Sequence, residues 1–109
     1  MCPAVVVHAE ARRELIEARA YYDERREGFG PLFVDAIERE FNLLLEFPRI
    51  GKPLVLGARR RILKGWPYSI VYQPILGGIY VVAIAHHKRR PGYWRRRRVG
   101  SPATESRRR

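Results

Sequence analysis

Two β-rich runs joined by a glycine pair constrain this chain more than any other feature. The first is Tyr68-Ser69-Ile70-Val71-Tyr72. The second is Ile79-Tyr80-Val81-Val82-Ala83-Ile84-Ala85-His86-His87, with Gly77-Gly78 between them. β-Branched and aromatic residues suit the pleated, half-buried surface of a sheet, and a Gly-containing turn joins such runs as an antiparallel hairpin. The second run continues directly into Lys88-Arg89-Arg90-Pro91-Gly92-Tyr93-Trp94. A rigid strand end therefore displays cations and flat rings, groups that recognise phosphates or acidic protein surfaces.

The chain has 109 residues, 46% of them hydrophobic, enough for one domain with one modest core. No apolar run reaches the roughly 18–20 residues of a membrane span. Met1-Cys2-Pro3-Ala4 lacks the basic segment and long apolar stretch of a secretory signal. These features predict a soluble, cytoplasmic protein with no membrane partner. The single cysteine, Cys2, fits a reducing compartment and is too near the terminus to suit nucleophilic catalysis. The net charge of +11 is uneven. Residues 1–50 carry 7 basic and 10 acidic side chains, a net −3, whereas residues 51–109 carry 15 and 1, a net +14. The C-terminal half should therefore seek an anionic partner, either nucleic acid or an acidic protein.

Ala4-Val5-Val6-Val7-His8 reads as a short first strand. Ala9–Glu27 reads as a helix, because Ala11, Leu15, Ala18 and Tyr22 share one helical face. A second helix opens at Gly30-Pro31 and carries the stripe Phe33, Ile37, Phe41 and Leu44, read as core. It ends at Phe47-Pro48, since Pro disfavours the helical region for the preceding residue. The short connection predicts an antiparallel helical hairpin. Arg49–Ala58 reads as a loop, Arg59–Lys64 as a second strand, and Gly65-Trp66-Pro67 as a turn before the hairpin. The expected fold is α+β in the order β-α-α-β-β-β, a mainly antiparallel sheet with the helical hairpin on one face. The first strand must join that sheet, at an edge the sequence leaves open. The folded domain is expected over residues 1–94, followed by a basic, disordered tail over 95–109.

His86 and His87 are neighbours on a strand and should point to opposite faces, so they are not expected to share a metal ion. Neither a metal nor a cofactor is expected. An exposed His87 is a candidate general base. Lys88-Arg89-Arg90 can clamp phosphate or meet carboxylates. Tyr93 and Trp94 can pack on the sheet or stack on a base. In Arg59-Arg60-Arg61, alternate members should fall on opposite faces. Arg95–Arg98 reads as a mobile electrostatic arm.

Together these motifs resemble the RelE/ParE superfamily of toxins from type II toxin–antitoxin modules. The resemblance rests on Glu14-Leu15-Ile16-Glu17-Ala18 with Tyr21-Tyr22, on Phe41 through Phe47-Pro48 with Gly51-Lys52-Pro53, and on Arg59-Arg60. Pro67 through Tyr72 and Ala85 through Trp94 complete it. It covers roughly residues 4–95 and is nearest the ParE-like branch. It implies a compact toxin neutralised by a cognate antitoxin. ParE-like members inhibit DNA gyrase, whereas RelE-like members cleave messenger RNA on the ribosome without a metal. The RelE-type arginine of the third strand falls on Ser69. The arginine after the last strand falls on Lys88, and the terminal tyrosine falls on Trp94, with Tyr93 one place earlier. Lys does not reproduce the planar, bidentate grip of Arg. The favoured expectation is thus a ParE-like toxin that binds a protein target, gyrase being the candidate. Arg59, Arg60, Arg61, Lys88, Arg89, Arg90, Tyr93 and Trp94 would then contact target or antitoxin. The alternative is a metal-independent endoribonuclease acting on ribosome-bound mRNA through His87, Lys88 and Tyr93. A third reading is a basic nucleic-acid-binding module without toxicity.

Overall fold

A computed structural model describes residues 4–97. Strand β1 (Ala4–Val7) leads into helix α1 (Ala9–Arg25), followed by helix α2 (Phe29–Glu46). Strand β2 (Lys52–Pro53) is a two-residue element inside the segment read as a loop. Strands β3 (Arg59–Leu63), β4 (Tyr68–Ile75) and β5 (Gly78–His86) form the meander. The expected α+β architecture is therefore present, with one small strand more than the sequence announced.

The five strands lie in the order β1-β5-β4-β3-β2. The meander is antiparallel, and its two outer edges are each taken by a short strand. β2 pairs antiparallel with β3, and β1 pairs parallel with β5 through Ala4↔Gly78 to Val7↔Val81. β1 is so short that it covers only the first half of β5. Beyond Val81 the outer edge of β5, opposite β4, is left without a neighbouring strand, a gap on which the candidate site is built.

The predicted helical faces are the buried ones. Ala11 and Ala18 of α1 are buried, as are Phe33, Ile37 and Leu44 of α2. Two alanines on the inner face of α1 keep its axis close to the sheet. The hairpin turn uses Gly28 at a φ of +89°, a conformation open to glycine without a Cβ penalty. Asp23 then accepts a hydrogen bond from the Gly30 amide at 3.0 Å, so α1 caps the otherwise orphaned N-terminus of α2. An aromatic wedge closes this same end of the helical hairpin. Trp66, in the β3–β4 turn, packs its ring 4.8 Å from Tyr22 and 5.1 Å from Phe33. Arg61 on β3 reaches Glu40 on α2 at 2.7 Å.

The pairing of β4 with β5 shifts register between Val71, opposite Ala83, and Tyr72, opposite Val81, leaving Val82 as an extra residue. This bulge resets which side chains face the helices. Ile79 and Val81 belong to the helix-side core before it, and Ile84 does after it. Val82 and Ala83 belong to a second, smaller core on the opposite face, together with Ala58, Val71 and Trp94. The sheet is thus covered on both faces, by helices on one and by the segment after β5 on the other. Just after the domain boundary expected at Trp94, Arg95–Arg97 form a 3₁₀ turn. The rest of the expected tail, residues 98–109, and Cys2 lie outside the described residues.

Candidate functional site

The site forms where β5 ends and the chain doubles back. His86 closes the strand, and its Nδ1 accepts the Lys88 amide at 3.0 Å. The His87 amide bonds the Pro67 carbonyl at 2.9 Å, which ties the turn to the neighbouring loop. Pro91-Gly92 then reverses the chain, with Gly92 at a φ of +79°. The reversal lays Tyr93 and Trp94 back on the sheet. The Trp94 ring is only 5% exposed and fills the second core.

Glu14 of α1 organises the edge. Its Oε1 accepts the Ile84 amide at 3.0 Å and an Arg97 guanidinium nitrogen at 2.9 Å. Its Oε2 accepts the Tyr93 hydroxyl at 2.8 Å and lies 3.8 Å from an Arg89 nitrogen. Arg97 also approaches the Val82 carbonyl, at 3.4 Å. Ile84 N–H and Val82 C=O are the groups that a longer β1 would have paired. Helix and C-terminal segment supply the bonds that the missing strand does not, as buried backbone groups require. Arg89 stacks 3.8 Å above the Tyr93 ring.

The Tyr93 phenol is pushed up well beyond the ordinary tyrosine pKa, first by burial and then by its bond to Glu14, with Arg97 and Arg89 opposing. Burial also raises Tyr22, Tyr68 and Tyr72. Each phenol holds its proton longer folded than unfolded. The associated stability is complete below the unfolded pKa near 10 and is lost as pH rises through the folded values. Urea midpoints should therefore fall once the pH passes about 10. Tyr93→Phe should make that decline shallower, even though it removes a bond. A midpoint unchanged between about pH 9 and about pH 11 would contradict this assignment.

The predicted site residues do not form one patch. In Arg59–Arg61 the members do alternate between faces. Arg59 is spent on the carbonyls of Arg49 and Gly51, at 2.8 and 2.7 Å, and Arg61 on Glu40. Arg60 lies on the opposite face and lines a cleft of about 280 Å³ with Ser69, His87, Arg89, Arg90, Tyr93 and Trp94. Ser69 and His87 share a 3.1 Å hydrogen bond there. Among the described residues, Arg60 Nε is the only buried side-chain nitrogen or oxygen without a hydrogen-bond partner. His86 points the other way, its ring 5.0 Å from that of Tyr68. Its pKa is lowered, mainly by burial and then by Lys88 and His87. Lys88, Arg89 and Arg90 are exposed at the turn. Trp94 is a core residue in this arrangement, because the second sheet face needs an apolar cover, so its ring is not offered to a partner. Within the expected mobile arm Arg95–Arg98, Arg97 is bound to Glu14.

Sequence reasoning missed Glu14 and Arg97 as members of the site. Glu14 sits beside Leu15 near the buried helical face, and Arg97 sits inside a uniform arginine run. Nothing local distinguishes either from its neighbours.

The model of the ParE toxin family, the toxin of the type II toxin–antitoxin system parDE, matches residues 5–91. A solved structure of the chromosomal ParDE TA system from P. aeruginosa is similar with a TM-score of 0.67 at 19% sequence identity. The alignment covers 77% of this chain and 95% of that one. A search among curated proteins found no match. At that identity the structural likeness speaks for the fold.

Proposed function

Because this chain belongs to the ParE toxin family of type II toxin–antitoxin systems, we propose that it arrests growth by docking on a protein target, DNA gyrase being the expected one. A cognate antitoxin neutralises it, and the action takes place in the cytoplasm. The observation that carries this reading over RNA cleavage is the state of Tyr93. Metal-free cleavage of RNA needs a base for the 2′-hydroxyl, an acid for the leaving oxygen, and cations on the phosphate. The Tyr93 hydroxyl is held by Glu14 and its pKa is raised, so it is a reluctant proton donor. Ser69 stands where the RelE-type site has an arginine, and Trp94 is packed in the core. What the turn does offer is an exposed cationic surface, Lys88-Arg89-Arg90, on a rigid strand end.

The antitoxin is expected to bury an apolar segment on this domain and to bring carboxylates to Lys88–Arg90. No helix among the described residues is long and apolar enough to cross a membrane. The test is induced expression with and without the neighbouring gene, followed by a gyrase supercoiling assay on the purified protein. Growth arrest relieved by the neighbour, with supercoiling inhibited, is the expected result. Messenger RNA cut in a purified ribosomal extract with supercoiling intact would install the nuclease reading instead. Tight, salt-sensitive DNA binding without growth arrest would install the non-toxic nucleic-acid module.

A further inference from the structure

We propose that the cleft beneath the Pro91-Gly92 turn is a binding site for a phosphoryl group, gripped by the Arg60 guanidinium and the Ser69–His87 pair. The starting point is Arg60 Nε, buried yet without a hydrogen-bond partner. A buried, charged donor left unpaired costs more than a neutral one. Such an atom in a native fold calls for a missing acceptor. Arg60 projects from β3 on the face opposite the helices, and it lines the same cleft as Ser69 and His87. Ser69 is 2% exposed, a buried hydroxyl on a sheet face otherwise lined by Val71, Ala83 and Ala85. Its Oγ is 3.1 Å from His87 Nε2. With an anion in the cleft, Nε2–H donates to Oγ and the hydroxyl proton turns to the anion.

The charge selects the ligand class. Arg60, Arg89, Arg90 and Arg95 all line the cleft, and no carboxylate does. A phosphate monoester carries about −1.5 to −2 charge and three acceptor oxygens. A single carboxylate brings one charge and fewer acceptors. Arg presents a planar fork of donors that matches phosphate bidentately, which Lys does not. The cleft volume of about 280 Å³ lies near the lower end of small-ligand sites, at roughly 300–1,000 Å³. The shared chemistry is the phosphoryl group, whether it arrives as the monoester of a free nucleotide or as the singly charged diester of a nucleic-acid strand, and the charge argument favours the monoester. Binding does not require cleavage, so this inference and the proposed protein target stand or fall separately.

The test is a calorimetric titration of the full-length protein with inorganic phosphate, with AMP and with a short single-stranded oligonucleotide, acetate serving as the carboxylate control. Phosphate and AMP should compete for one site, and acetate should not displace them. Arg60→Gln should weaken binding about tenfold to a hundredfold, the worth of a hydrogen bond to a charged group. Arg60→Lys should not restore it. Because Arg60 Nε has no native partner, Arg60→Gln should leave the urea midpoint unchanged or raised, which separates lost binding from lost folding. Ser69→Ala, a second variant, should weaken phosphate by a smaller factor. AMP bound more tightly than the oligonucleotide assigns the site to free nucleotides, and the reverse order assigns it to strands. Three results would overturn the proposal: no saturable phosphate binding, affinity unchanged by Arg60→Gln, or tighter binding of a carboxylate-rich peptide in the same cleft.

Discussion

Replacing Glu14 with alanine is expected to lower the stability of this domain by about 3–5 kcal/mol, the usual cost of removing one partner from a buried charged pair. The Glu14 side chain is 13% exposed and that of Arg97 is 14% exposed. Without the carboxylate, Arg97, the Tyr93 hydroxyl and the Ile84 amide lose their shared acceptor together. Tyr93 and Arg97 flank Trp94, so the second core should loosen with them. Glu14→Gln retains shape and one acceptor, and it should cost less, about 1–3 kcal/mol. Urea unfolding measures both values, and hydrogen exchange at Ile84 locates the damage. The Ile84 amide should exchange faster in Glu14→Ala than in the parent. A loss below about 1 kcal/mol, the value of an exposed pair, would show that the carboxylate does not hold the edge.

Reversing the charge of the turn with Lys88→Glu and Arg90→Glu is expected to abolish growth arrest and to slow antitoxin association. Both side chains are exposed, so stability should change by no more than about 0.5 kcal/mol. The effect must then come from the field. Long-range attraction raises association rates by roughly 10–10³-fold, and salt removes that gain. The double variant should lose most of the rate at low ionic strength and differ little from the parent at high ionic strength. Stopped-flow mixing with the purified antitoxin reads both. An association rate for the parent protein that stays flat between low and high salt would remove electrostatic steering from the account. Growth arrest that survives in the double variant would move target docking away from this turn.

The pairing of these two variants separates the two faces of one structural device. Glu14 acts inward, holding the returning segment against the edge of β5. Lys88 and Arg90 act outward, from a turn whose position depends on that anchoring. A Glu14 variant should thus impair toxicity only in proportion to lost folding, whereas the turn variant should impair it in a fully folded protein.

Much of this organisation was legible in the residues alone. The apolar stripes Ala11-Leu15-Ala18-Tyr22 and Phe33-Ile37-Phe41-Leu44 specify two helices and the faces they bury, because a helix can hide only residues spaced three or four apart. The β-branched runs around Gly77-Gly78 specify the hairpin. The alternation of a strand places Arg60 apart from Arg59 and Arg61. Charge asymmetry marks the C-terminal half as the cationic surface. Other features were decided only by the tertiary structure. Which edge β1 joins depends on which edge of the finished meander remains open, and its short length leaves Ile84 and Val82 in need of partners. The Val82 bulge is a property of two paired strands, so neither strand's own pattern contains it. Glu14 and Arg97 meet across 83 residues of sequence, and nothing in either local segment encodes that meeting. Periodicity reports what one element must bury. It carries no information about which distant polar groups must satisfy one another once the elements are packed, and it is those groups that build the site.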